Sequence, residues 1–446
     1  MYPPPLGEPT CSDHDLITFD IKSDSPVTRS CQSNNPSLFW LFQKASIPNI
    51  MIDCYDLHTH VRDYITASKP IDDVWNLFKS SLLQTAQKNI PAIFRKPRSN
   101  PWITRQTKRE IARRRRWKKA SKQHTSQLND DRVREQSKLC DRLVNRDYNA
   151  YINRYICDKL ETGNSQPLFK FIGNRRGNAN TIKKLDGCSD DSDPSIADRL
   201  AEAFCSVFTR DDGRTPSFPL GAGCQPNSIT INAQGVLKQL QSLDKSKGAG
   251  PDGLSPGLLR FLASYIYQPL SLIFQYSLDT GQVPREWRHA NVIPVYKNGS
   301  RTDPLNYRPI SMTCIVSKIL EHVICHDVNS FLDSHNVLVD CQHGFRKGYG
   351  CETQLLTTIT ELTQSYDSKV PVDLAVLDFS KAFDTVLHSK LLLKLRSVGI
   401  HSTTCNWIAN WLHERTMSVS VNACISPVKP VTSGVPQGSV LGPCYF

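Results

Sequence analysis

The chain has 446 residues, 39% hydrophobic and 22% charged, which is too apolar for wholesale disorder and long enough for about two or three domains with a real core. Lys and Arg number 54 against 42 Asp and Glu, a formal net charge of +12 that favours a polyanionic partner, nucleic acid before membrane. The opening MYPPPLGEPT has neither the basic nor the apolar stretch of a signal peptide. The 15 cysteines include no Cys-x-x-Cys pair, so a disulfide framework or zinc knuckle is not expected, and reduced thiols of cytosol or nucleus fit better.

In chain order, residues 1–30 are Pro-rich, with LITFDI at 16–21 reading as a strand, and 74–83 is amphipathic. Residues 95–122 carry 13 Lys/Arg against one acid, Glu110, so this segment alone accounts for the net charge. A helix is expected from Thr104 onward, with cations on every face. Arg113, Arg114, Arg115, Arg116, Lys118 and Lys119 surround Trp117, which suits phosphate binding with a stacked base. A solvated basic helix or a nuclear-import signal is the plainer alternative. A second helix is expected over 132–160, and the Gly-, Asp-, Ser- and Pro-rich 174–228 reads as loop.

Beyond residue 229, helical patterns at 233–243, 258–278, 316–332, 353–363 and 389–398 alternate with apolar strand-like runs at 292–296, 372–379 and 417–421. That alternation predicts an α/β or α+β domain. The charge-free run 261–278 contains Pro269, and Leu258, Leu262, Ile266, Leu270, Phe274 and Leu278 recur every fourth residue. This fits a buried helix face rather than a membrane span.

The segment VDLAVLD at 372–378 predicts a central strand buried on both faces and ending in Asp378. A carboxylate there needs a cation or a helix N-terminus, so a divalent metal site and an N-cap opened by Ser380, Lys381 and Ala382 both remain open. Downstream, Gly434, Gly438 and Gly442 with Pro436 and Pro443 predict a tight loop entering a helix. Upstream, Asn298-Gly299 after an apolar run predicts a hairpin carrying Lys297, Arg301 and Arg308, cations suited to a triphosphate or, for Arg308, to an ordinary surface ion pair.

Five blocks then stand in order: KGAGPDGLSPGLLR (247–260), VIPVYKNG…NYRPISM (292–312), QHGFRKGYGCETQLL (342–356), LDFSKAFDTVLH (377–388) and SGVPQGSVLGP (433–443). Together they resemble the reverse transcriptases of non-LTR retrotransposons, LINE-like elements of the jockey and CR1 kind. The resemblance implies an α+β right-hand polymerase, with fingers and partial palm over 231–446, preceded by a basic, mainly helical linker over 31–230. It implies an RNA-directed DNA polymerase using deoxynucleoside triphosphates and two Mg²⁺ ions, with no small-molecule cofactor. Asp378 would bind the metals with the backbone carbonyl of Phe379. Phe383 would be the steric gate, Lys297 and Arg308 would hold the triphosphate, and Gln437 would lie near sugar and template. Gln342, Gly344, Phe345 and Arg346 would contact template.

The implied partners are element RNA and a target-DNA primer, with no membrane. The implied location is a ribonucleoprotein in nucleus and cytoplasm, not a secreted protein. Ser12-Asp13-His14 followed by LITFDI resembles the closing motif of apurinic-endonuclease-like domains, making 1–30 the end of such a domain with Asp13 and His14 as its remnant site. The sequence given stops at Phe446, before the family's Ala-Asp-Asp hairpin and thumb. The resemblance therefore implies a truncated chain without polymerase activity of its own and marginal solubility of 230–446. The alternative function is a catalytically dead relic that binds RNA or DNA through 95–122.

Overall fold

The computed structural model describes residues 37–444 except 96–101, 124–125, most of 164–183, 189, 191, 218–227 and 423. The endonuclease-like motif with Asp13 and His14, and the strand expected at 16–21, lie outside the described residues. Two compact units form, one from 98–179 and the other from 35–97 together with 180–446. Residues 35–97, grouped by the sequence with a basic linker, therefore pack into the same unit as the polymerase-like blocks.

That larger unit opens with β1 (Ser37–Trp40), followed by α1 (Ile47–Thr66), α2 (Ile71–Asn89) and β2 (Ala92–Arg95), which pairs antiparallel with β1. In α1, Ile50, Cys54, Leu57 and Val61 form one buried stripe, and α2 buries Val74, Trp75, Phe78 and Leu82. This is the 3.6-residue period of a core-facing helix.

The smaller unit is a helical hairpin of α3 (Arg105–Gln123) and α4 (Gln127–Ile152), whose last turns widen into a π-helix at Asn153–Cys157. Its fastening is polar. Buried Asp147 of α4 accepts bonds from Thr104 N (3.0 Å), Thr104 Oγ1 (2.7 Å) and Thr107 Oγ1 (2.5 Å), and so satisfies donors at the start of α3. Further along, Gln136 donates to Glu110 (2.7 Å), Arg114 pairs with Asp141 (3.6 Å) and Ser121 donates to Asp130 (2.6 Å).

Returning to the larger unit, α5 (Asp193–Cys205), α6 (Ala233–Ser242), α7 (Pro256–Phe261) and α8 (Ala263–Thr280) follow. The stripe at 258–278 is one continuous buried face on two helices, because the chain turns at Leu262. Pro269 sits inside α8, and α8 ends at Gly281 in the left-handed region (φ 66°). Phe274 meets Trp287 edge-on at 6.1 Å, and Trp287 meets Trp75 at 5.2 Å, so α8 and α2 share one aromatic core. Among the described residues no helix is long and apolar enough to cross a membrane.

The sheet is mixed. β3 (His289–Tyr296) and β4 (Tyr307–Met312) form the expected antiparallel hairpin, with Gly299 at φ 83° in its turn. The remaining helices are α9 (Ile315–Ser334), α10 (Cys351–Asp367), α11 (His388–Val398) and α12 (Ser402–Leu412). After them β5 (Thr416–Val421) runs parallel to β3, flanked by β6 (Cys424–Ile425) and β7 (Lys429–Pro430). A four-residue turn, α13 (Leu441–Cys444), closes the described chain. The α+β class read from the alternation is what forms.

One element departs from expectation. Residues 371–379 form no strand and are exposed throughout, Leu377 at 91% and Phe379 at 85%. An apolar run becomes a strand only where a neighbour accepts its hydrogen bonds. β3 is bordered by β4 and β5, and no strand among the described residues pairs with 371–379. The preceding α10 likewise buries none of its residues.

The polar clasp of the hairpin makes a prediction. Burial raises the Asp147 pKa, but the bonds from Thr107 and Thr104 and from Arg146 outweigh it and hold the carboxyl well below the usual carboxylate range. A depressed folded-state pKa contributes stability above the unfolded value of about 4 and loses it as pH falls further. Asp147→Asn should therefore lower the hairpin's melting midpoint at neutral pH by roughly 5 °C. The gap to wild type should narrow as pH falls below about 4, where the contribution of the ionised carboxylate is progressively lost; melts followed by circular dichroism measure both.

Candidate nucleotide cleft

The loop at 433–442 is laid by backbone bonds against three other segments. Gly434 N donates to Val386 O (2.8 Å), Val435 N to Phe383 O (2.8 Å) and Ser311 N to Gln437 O (2.7 Å). Val440 N reaches the fully buried carboxylate of Glu321 on α9 (2.9 Å), which also accepts from Ser317 (3.0 Å). Ser433 Oγ donates to Asp384 O (2.7 Å) and accepts from Thr209 N (2.8 Å). Gly434 is in the left-handed region (φ 82°), and a Cβ there would lie 2.6 Å from Phe383 O and 2.7 Å from Asp384 O. Glycine is required twice over, by torsion and by contact.

This zipping creates an open cleft of about 540 Å³ whose lining includes Lys297, Arg308, Asp378, Phe379, Phe383, Asp384 and Gln437. The volume is that of a small-molecule site. Lys297 ends the β3 side of the hairpin and Arg308 stands on β4 opposite Val295, and both side chains are exposed. Phe204 and Val207, on and just beyond α5, complete one wall. The six residues expected at metal and nucleotide thus converge although 140 positions separate Lys297 from Gln437.

Asp378 reaches the cleft on an exposed, extended segment rather than at the end of a buried strand, and residues 380–384 form turns, with Lys381 at φ 49°, not the helix an N-cap would open. The block at 342–346 touches the cleft through one residue: Phe345, at φ 59°, lies edge-on to Phe383 at 6.0 Å. Gln342 donates to Gly344 O (3.1 Å). Arg346 pairs with Asp333 of α9 (3.6 Å), donates to Val339 O (3.2 Å) and lies over Tyr349 at 4.6 Å, so Gln342 fastens its own loop and Arg346 also ties it to α9. Arg301 lies over Tyr296 at 4.3 Å.

Asp384, Phe204 and Ser433 went unread in the sequence. Asp384 stands one position after Phe383 in LDFSKAFDT, which was the signal; nothing local marks Phe204. Burial raises the Asp384 pKa, opposed by bonds from Gln437 Nε2 to its Oδ1 (3.1 Å) and Oδ2 (3.2 Å) and by Lys381. His388 holds Gly434 O at 2.7 Å; burial lowers its pKa, that bond opposes the shift and Arg415 adds to it.

For a divalent metal, the donors are the Asp378 carboxylate and the Phe379 carbonyl, since Asp384 is engaged by Gln437. Mg²⁺ is commonly held by one or two carboxylates plus substrate phosphates. These residues therefore fit one ion arriving with a triphosphate. Among the described residues no cluster of three His, Cys, Asp or Glu side chains forms a metal cage.

In the smaller unit, α3 carries ten Lys/Arg and one acid. Arg113 pairs with Glu110 (3.9 Å) and Arg114 with Asp141, while Arg115, Arg116, Lys118 and Lys119 have no acidic partner among the described residues. Trp117 is covered on one side by the Arg132 guanidinium at 5.2 Å.

The cleft joins cations of the β3–β4 hairpin, aromatic side chains and carboxylates. The family described as reverse transcriptase (RNA-dependent DNA polymerase) matches residues 295–446. The RNA-directed DNA polymerase from mobile element jockey of Drosophila melanogaster is 33% identical over 217 residues, 48% of this chain and 24% of that protein. The probable RNA-directed DNA polymerase from transposon BS of the same species is 29% identical over 217 residues, 48% of this chain and 24% of that protein. The jockey polymerase of Drosophila funebris is 29% identical over 242 residues, 54% of this chain and 26% of that protein. The chain thus spans about a quarter of the length of these relatives. Residues 295–446 thus match the reverse transcriptase family, which generally uses divalent metal ions and deoxynucleoside triphosphates, and the similar proteins are RNA-directed DNA polymerases of mobile elements.

The close approach at Gly434 can be tested. Gly434→Ala should cost about 2 kcal/mol or more, because torsional strain and the clash add. Gly213→Ala, at φ 68° with nothing within 4 Å of a Cβ, carries strain alone and should cost about 1 kcal/mol. Urea midpoints of the two variants separate the contact from the torsion.

Proposed function

We propose that the cleft binds a deoxynucleoside triphosphate with Mg²⁺ for RNA-directed DNA synthesis. The observation that carries this is the convergence of Lys297, Arg308, Asp378, Phe383 and Gln437 on one cleft. Lys297 and Arg308 hold the phosphates by charge-assisted bonds, with the guanidinium able to grip two oxygens at once. Asp378 and the Phe379 carbonyl hold the ion that accompanies the triphosphate. That ion, when bound, neutralises phosphate charge and orients the phosphoryl group. Phe383 presents an apolar wall on which a 2′-hydroxyl would be crowded and desolvated, favouring deoxynucleotides.

The template and primer are an RNA and a DNA strand, and element RNA with a nicked target DNA is the specific pair proposed. A two-ion mechanism requires carboxylates beyond Asp378. Binding of dATP in Mg²⁺ tests the cleft directly. Arg308→Ala should weaken it roughly ten- to hundredfold, the range for one charge-assisted contact. Asp378→Asn should remove the Mg²⁺ dependence. Binding unaffected by either substitution would sink the reading.

A second activity of the same chain is nucleic-acid binding by α3, favoured by Arg115, Arg116, Lys118 and Lys119, which are among its cations without acidic partners among the described residues. Replacing Arg115, Arg116, Lys118 and Lys119 together by Gln should reduce the slope of log affinity against log salt by about 3 for single-stranded RNA, if each contacts a phosphate. An unchanged slope would mean that these cations face solvent only.

A further inference from the structure

We propose that Cys325 and Cys444 form a redox modification site, at which hydrogen peroxide joins the two thiols as a disulfide and fastens the end of the 433–442 loop to α9. The inference is independent of the nucleotide reading of the cleft.

One stripe of α9 builds the site. Glu321, Cys325 and Asn329 stand four residues apart, on successive turns of one helix face. Each side chain meets the segment that follows Gln437. Glu321 accepts from Val440 N (2.9 Å). Asn329 Oδ1 accepts from Cys444 Sγ (3.3 Å), while Asn329 Nδ2 donates to Cys325 Sγ (3.4 Å). One amide thus holds both sulfurs, and the two thiols are in hydrogen-bonding contact with each other. Leu441, fully buried in the core, keeps α13 seated on α9.

A thiolate rather than a thiol attacks an oxidant, and a disulfide then needs a second thiol within reach. Donation from Cys444, helped by Asn329, favours the charged form of Cys325 and outweighs burial and the Glu321 carboxylate, so the Cys325 pKa falls below the ordinary thiol value. The same contact, together with burial, pushes the Cys444 thiol up. Cys325 is therefore the attacking sulfur and Cys444 the resolving one. The Cys325 thiolate attacks one peroxide oxygen, the O–O bond breaks and a sulfenic acid forms; the departing hydroxide takes up the proton that Cys325 released and leaves as water. The Cys444 sulfur then attacks the sulfenic sulfur, the S–O bond breaks, and the hydroxyl leaves with the Cys444 proton as a second water. Two electrons pass from the sulfur pair to the peroxide. Both sulfurs belong to half-buried residues, open enough for so small an oxidant. Cys157, Cys341 and Cys351 are more exposed, but among the described residues none of them is bonded to a second thiol.

The test treats the reduced full chain with stoichiometric hydrogen peroxide, blocks the remaining thiols with iodoacetamide and maps the peptides by mass spectrometry without reduction. The expected product is a pair of peptides joined through Cys325 and Cys444, lighter than their sum by the two thiol hydrogens and separated again by dithiothreitol. It should form before any disulfide at Cys157, Cys341 or Cys351. The mapping is made on wild type and so does not depend on any variant folding. Cys444→Ser removes the resolving thiol and should leave Cys325 as a sulfenic acid that dimedone traps, whereas Cys325→Ser should leave Cys444 unoxidised. Fastening is read separately. Oxidised wild type should melt roughly 5–10 °C above the reduced chain, and neither variant should show that rise. Full alkylation of both Cys325 and Cys444 while other thiols are consumed overturns the proposal, as does joining of Cys325 to any other cysteine. A bond between Cys325 and Cys444 with no rise in the melting midpoint overturns the fastening.

Discussion

The backbone contact between Gly434 and residues 383–386 is the constraint on which the cleft depends. Main-chain atoms of two segments almost 50 residues apart lie too close for any side chain at 434. From that point the loop runs along the edge of β4, presents Gln437, and ends on the Glu321 carboxylate. Every residue proposed to meet a nucleotide is placed by this seam or by the β3–β4 hairpin it touches. A loop so fastened gains precision from hydrogen bonds that need no particular side chain.

Behind the seam lies an unusually charged core for a small sheet. Glu321 is fully buried, and Arg415 is nearly so, with its guanidinium over Trp411 at 4.7 Å and one bond to Trp411 O (2.9 Å). Burial lowers the Arg415 pKa to about 10, opposed chiefly by Glu321, so it stays cationic at neutral pH. The structural consequence is placement: Glu321 binds the loop after Gln437, and Arg415 lies at the start of β5, so the two charges join helix, loop and sheet.

The two units divide the chemistry by physical type. The hairpin concentrates surplus positive charge on one helix with little apolar burial, a surface suited to a polyanion and sensitive to salt. The cleft unit is close to neutral apart from a few placed cations, and draws its stability from the aromatic core of Trp75, Phe274 and Trp287. Salt should therefore act mainly on the first and nucleotide chemistry mainly on the second.

The residues themselves determined what is local. Thirteen cations within 95–122 predict a surface suited to a polyanion without any fold, the four-residue stripe at 258–278 announces a buried helix face, and Asn298-Gly299 announces a hairpin, because each depends on neighbours a few positions away. The ordered motifs also identified Asp378, Phe383, Lys297, Arg308 and Gln437 as one set. Tertiary structure alone decided the rest. The run at 372–378 has strand composition but no partner to accept its backbone bonds, and pairing is a property of other segments. Residues 47–89 look like linker until α8 offers them a face. Asp384 acquires its place only when the loop carrying Gln437 folds back on it, and hydrogen bonds between residues 53 positions apart leave no periodic trace in a sequence.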